Sequence, residues 1–219
     1  MPRFVAFLRA VNVRPRWVKM GELREHLTAA GYADVETHIQ SGNVHLAWSG
    51  TDPDELAAEL TRSISTRWGF EVPTMVRRPE ELVDIAETAA ALPSPFPPNT
   101  PTKRYVSFLS AEPSADAVVR LGAVDAPGER VTVVGRHVVA VLSVPFHEAK
   151  LTNVRTERVL GVRSTAATSG WSRRWRSDGG RARARSGRAP GPSARRPCDG
   201  ARTNVASARN TPRLRRPRH

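Results

Sequence analysis

Hydrophobic periodicity runs from residue 3 to residue 163 of this chain and then stops, and that break decides how much of it can build a core. After residue 163 come fifteen Arg, two Asp and neither Lys nor Glu, so the formal net charge of +13 belongs entirely to that stretch. Residues 1–163 balance nineteen basic against nineteen acidic side chains. A segment rich in Arg, Ala, Gly, Pro and Ser, without an apolar repeat, buries too little surface to offset its ordering entropy. Residues 164–219 are therefore expected to form a disordered tail. The fold is expected within residues 1–163, long enough to bury roughly two thirds of the unfolded chain's surface.

Within that body, Arg3–Val11 is a β-prone apolar run and Lys19–Gly31 a helix, with Met20, Leu23, Leu27 and Ala30 on one face and Gly31 as its stop. Val35–Trp48 reads as a bulged strand or a hairpin, broken at Ser41-Gly42-Asn43. Asp52-Pro53-Asp54-Glu55 is a helix start, and Leu56, Leu60, Ile64 and Trp68 follow one row of that helix. Phe70–Arg77 reads as a strand, and Pro79-Glu80-Glu81 opens a further helix carrying Leu82, Ile85 and Ala89.

Five prolines between Pro93 and Pro101 mark a stiff linker. Beyond it the pattern resumes: a strand at Tyr105–Leu109, a helix at Ser114–Leu121, a hairpin about Gly135-Arg136, and a helix capped by Asn153 and stopped by Gly161. The chain is thus expected to be α+β, with two ferredoxin-like (split βαβ) subdomains, the second incomplete because its closing strand is missing. The expected boundaries are 1–92 for the first subdomain, 93–103 for the linker, 104–163 for the truncated second subdomain and 164–219 for the tail.

Cys198 is the single cysteine, so no internal disulfide can form, which suits a cytoplasmic setting. No apolar stretch reaches the roughly 20 residues of a membrane span. The chain has no H-E-x-x-H, P-loop, G-x-G-x-x-G or G-x-S-x-G pattern, so no metal or cofactor is expected. The acid pairs Asp54-Glu55 and Glu80-Glu81 sit in first helical turns, where the helix dipole accounts for them.

The stretch Phe4–Asn12, the run Lys19-Met20-Gly21-Glu22-Leu23-Arg24 and the run Thr37–Val44, then Phe146–Asn153 and Glu157–Gly161, resemble domain-of-unknown-function family 1697 over residues 3–163. The resemblance implies an α+β protein with ferredoxin-like subdomains and no established activity. Two departures stand out. Arg14-Pro15 replaces a glycine pair common in the family, fixing φ where glycine leaves it free. The family pattern also ends where the charge balance breaks, as a shifted reading frame in GC-rich coding sequence produces.

Three sets of residues have binding chemistry. Arg9, Asn12, Lys19, Gln40, Ser41 and Asn43 converge on one end of the first sheet if their strands are neighbours, with cations and amides suited to an anionic or amide-bearing ligand. The same residues suit ordinary turn chemistry. Lys150 and Asn153 flank the start of the last helix, whose N-terminus attracts anions. In the tail, Arg173, Arg174, Arg176, Arg181, Arg183 and Arg185 interleave with Trp171 and Trp175, the chemistry of a nonspecific nucleic-acid arm. The expectation is a protein that binds a small anionic ligand or a protein partner through the Asn12/Lys19/Gln40–Asn43 end. The alternatives are an enzyme of unknown class using the same cleft, and RNA or DNA binding through the tail alone.

Overall fold

A computed structural model describes residues 1–38 and 42–167. Strand β1 (Arg3–Leu8) leads to helix α1 (Met20–Ala29), whose Leu23 and Leu27 are buried. The hairpin β2 (Ala33–His38) and β3 (Asn43–Ala47) follows, then helix α2 (Pro53–Trp68) and strand β4 (Thr74–Arg77). Asp52 caps α2 by accepting from the Asp54 amide at 2.8 Å, an arrangement that stabilises a helix by about 1 kcal/mol. These strands form an antiparallel sheet in the order β2-β3-β1-β4, the arrangement of a split βαβ unit.

Helix α3 (Pro79–Ala91) and the proline-rich segment connect this unit to a second one. There β5 (Lys103–Leu109), α4 (Ala115–Gly122), β6 (Glu129–Val134), β7 (His137–Leu142), α5 (Asn153–Leu160) and β8 (Ser164–Ala167) repeat the pattern. The sheet order is β6-β7-β5-β8. The second unit therefore has its closing strand, and the expectation of an incomplete unit ending at residue 163 is overturned. Ser164 pairs with Leu109, Thr165 with Phe108 and Ala166 with Ser107. A short edge strand held by backbone ladder bonds needs no apolar alternation of its own, so Ser-Thr-Ala-Ala gave no strand signal. The rest of the expected tail lies outside the described residues.

The two sheets face each other. Because side chains alternate across a strand, β1 sends Phe4, Ala6 and Leu8 toward α1 and α2, where they join Val44, Leu46, Leu56, Leu60 and Ile64 in one core. Val5 and Phe7 point the other way and meet Val106, Phe108 and Val139 of the second sheet, with α3 supplying Leu82, Ile85 and Ala86. The Phe7 and Phe108 rings lie 4.3 Å apart, a contact that adds about 1 kcal/mol beyond area burial. Leu109, Val138, Ala117, Leu121 and Leu160 form a third core under α4 and α5. Arg104, on β5, donates to the carbonyls of Ala89, Ala90 and Leu92, placing a cation at the negative end of α3.

Candidate functional site

Backbone contacts pin the base of the segment between β1 and α1, residues 9–19. The Leu8 amide donates to the Gly42 carbonyl at 3.0 Å and the Arg9 amide to the Pro73 carbonyl at 2.9 Å. Gly42, at φ +81°, lies so close that a Cβ there would stand 2.5 Å from Val11 Cγ2. The loop of residues 9–19 therefore packs against Gly42, just before β3.

The loop's interior is closed as well. Asn12, at φ +58°, accepts the Val18 amide on its Oδ1 at 2.9 Å, and the Arg16 amide donates to the Val13 carbonyl at 2.7 Å. Val11 and Val18 are buried beneath. Outward point Val13, 52% exposed, and Trp17, 58% exposed. Arg14 and Lys19 are exposed beside them. The Arg16 guanidinium lies 5.9 Å from the centroid of the Phe70 ring, a cation–π contact.

The expected ligand residues have separate fates. Both Arg9 Nε and Nη2 donate to the Glu157 carboxylate of α5 at 2.6 Å, and Glu157 also accepts the Ser164 amide. Arg9 thus ties the first sheet to the second unit. Asn12 closes the loop, and Lys19 Nζ pairs with Glu22 at 2.9 Å. Asn43 is buried on β3, in register with Phe7 and His38. Gln40 and Ser41 lie outside the described residues, as do Arg173, Arg174, Arg176, Arg181, Arg183 and Arg185.

Lys150 and Asn153 stand elsewhere, at the start of α5 against the second sheet. Thr152, rather than Asn153, caps that helix, accepting the Arg155 amide at 3.4 Å. Asn153 Oδ1 instead accepts the Ser107 hydroxyl at 3.2 Å. An open groove farther along α5 is lined by Val154, Glu157, Arg158, Gly161, Val162 and Arg163, so it shares Glu157 with the Arg9 pair.

Sequence reasoning missed the polar cluster between the sheets. Arg77, 1% exposed, donates to the carbonyls of Val76, Leu109 and Arg136. Burial pushes its guanidinium down to about 10, against the attraction of Glu81. Arg136, at the β6–β7 turn, grips Asp54 through two nitrogens, at 3.0 and 2.6 Å. Buried His137 is held below its usual range by desolvation and then by the charge of Arg77. Among the described residues no group of three His, Cys, Asp or Glu is placed to hold a metal ion, and no helix is long and apolar enough to cross a membrane.

The sequence profile of a family described as protein of unknown function, DUF1697, matches residues 1–139. The chain belongs to that family. The matched region holds the whole first unit, including the 9–19 loop, and the second unit through the first half of β7. A DUF1697 chain of this kind is also similar in fold to a solved structure described as the conserved bacterial protein SP0830 from Streptococcus pneumoniae. The two share 18% sequence identity, with a TM-score of 0.53, over 77% of this chain and 94% of that one. No curated protein sequence matches this DUF1697 chain.

Proposed function

We propose that this DUF1697 protein is a binding protein without catalytic chemistry, and that its Val11–Lys19 loop docks on an acidic surface of a partner protein. The observation that carries the reading is Trp17, 58% exposed on a loop whose base is locked by the Asn12–Val18 bond. An indole held outward by a preorganised loop loses little entropy on docking, and Trp and Arg are the side chains that dominate interface energetics. Arg14, Arg16 and Lys19 surround it, and no acidic residue precedes Glu22 in the chain. That charge favours an acidic counterpart and a fast, salt-sensitive encounter.

Of the two ligand classes that the sequence suggested, the protein partner is favoured. Arg9 is already neutralised by Glu157 and Asn43 is buried, which removes two of the groups a small anion would use. The test compares proteins captured by the full chain, by Trp17→Ala and by the double variant Arg14→Ala/Arg16→Ala. One acidic protein should be retained by the first and reduced about tenfold or more by each variant. Equal capture by all three would rule the loop out.

A further inference from the structure

A second surface, on the other unit, has a different chemistry. Phe146 opens a single 3-10 turn, Phe146–Glu148, in the segment between β7 and α5. Its ring lies 4.6 Å from that of Tyr105, tilted by 39°, and Phe146 remains 54% exposed. Burying a phenylalanine is worth about 2 kcal/mol, so a ring held half in solvent needs a fixed support.

That support is Glu129. It sits on β6, 2% exposed, and its two carboxylate oxygens accept the backbone amides of Lys150 and Leu151. The Glu148 amide folds back onto the Pro145 carbonyl at 3.0 Å and completes the turn. Taking a carboxylate out of water is costly, and two charge-assisted hydrogen bonds offset that cost only where the segment they hold is kept in one place. The aromatic pair is therefore preorganised.

Polar groups suited to one ligand class stand around it. The alternation of β5 puts Lys103, Tyr105 and Ser107 on one face of the sheet. Ser107 engages the Oδ1 of Asn153, leaving the Nδ2 hydrogens of that amide without a partner among the described residues. Lys103 and Lys150 are exposed, and neither has a carboxylate within ion-pair distance among the described residues. Glu148 is the nearby acid, and it stands 3.5 Å from His147.

We propose that this cluster is a binding site for a mononucleotide. The base stacks on Phe146 above Tyr105, the phosphate is met by the ammonium groups of Lys150 and Lys103, and the Asn153 amide donates to the ligand's acceptors. A stacking face beside unpaired ammonium groups matches a planar heteroaromatic ring that carries phosphate. An apolar partner would instead leave both lysines facing it. The site is separate from the Val11–Lys19 loop and stands or falls independently of it.

The test titrates adenosine monophosphate, adenosine and inorganic phosphate separately into the full chain, followed by aromatic NMR signals and by calorimetry. Ring signals of Phe146 and Tyr105 are expected to move with the two adenosine compounds and to stay in place with phosphate. The monophosphate should bind more tightly than adenosine. Phe146→Ala should weaken it about tenfold, and Lys150→Ala should narrow its advantage over adenosine. Phe146 is a surface residue, and circular dichroism of the variant confirms that the fold is kept. The Arg-rich C-terminal residues attract phosphate on their own, so binding that survives both substitutions unchanged would overturn the site. So would ring signals that stay fixed in millimolar monophosphate.

Discussion

Arg77 donates from Nη2 to the carbonyl oxygen of Leu109 at 2.7 Å, although the two residues stand on different sheets. The same nitrogen reaches the Arg136 carbonyl at 2.8 Å, and its guanidinium lies 5.6 Å from the centroid of the Phe108 ring. One side chain therefore satisfies backbone acceptors of both units while filling space between them. Removing it takes a charged donor away from three carbonyls and leaves a cavity beside Phe108. Arg77→Ala is expected to destabilise the fold by about 3 kcal/mol or more. Urea unfolding followed by far-UV circular dichroism and by a probe in each unit checks this. Both probes should shift together, and unaltered melting of either unit would show that Arg77 does not join them.

His137 gives the fold a pH dependence. Desolvation, and then the charge of Arg77, holds its folded pKa below that of a free imidazole, so the folded state binds fewer protons at this site than the unfolded chain does. Stability from this group is thus present in full above about pH 6.5 and falls as the pH drops toward the lowered folded value. Thermal melts between pH 7.5 and pH 5, in steps of about half a unit, should show a decline that His137→Gln reduces. An identical decline in the variant would assign the acid sensitivity to other groups.

The Arg9–Glu157 pair makes a local prediction. Both side chains are largely buried, and Glu157 also holds the Ser164 amide, so Glu157→Gln removes a charge from the bridge and weakens the anchor of β8. The expected cost is about 2 kcal/mol. Hydrogen exchange at Ser164–Ala167 should speed up more than exchange in β3. Uniform acceleration through both sheets would mean that the pair acts globally.

Gly42 tests the coupling between the two loops. Gly42→Ala sets a Cβ against Val11 Cγ2 at 2.5 Å and Leu8 Cβ at 3.0 Å while forcing a non-glycine residue to φ +81°. The variant should lose about 1–3 kcal/mol and move the backbone signals of Val11–Val18. Unchanged signals there would separate the 9–19 loop from its neighbour.

Much of the fold was legible in the sequence because local rules and tertiary packing agree. Asp52-Pro53 starts a helix wherever it sits, and Leu23 and Leu27 repeat at helical spacing beneath it in the same core. The doubled β-α-β pattern on either side of the prolines pointed to two split βαβ units. The candidate site was less legible. Arg9 and Glu157 are 148 positions apart, and no spacing rule connects a strand-end cation to an acid on a distant helix. Arg77 closes a four-residue strand buried throughout, where its charge reads as solvent-facing until the second sheet is known to cover it. Strand β8 was missed because Ser164–Ala167 derives its place from β5 rather than from its own side chains.

The central claim is that the Val11–Lys19 loop meets a partner through Trp17. A photoreactive amino acid substituted at Trp17 in the full chain, irradiated in cells, tests it directly. The control is the same group at Val119, 72% exposed on α4. The account predicts one discrete cross-linked species from position 17, lost when Arg14 and Arg16 become Ala and absent from position 119. Equal labelling from both positions, or labelling at 17 that ignores those two arginines, would contradict it.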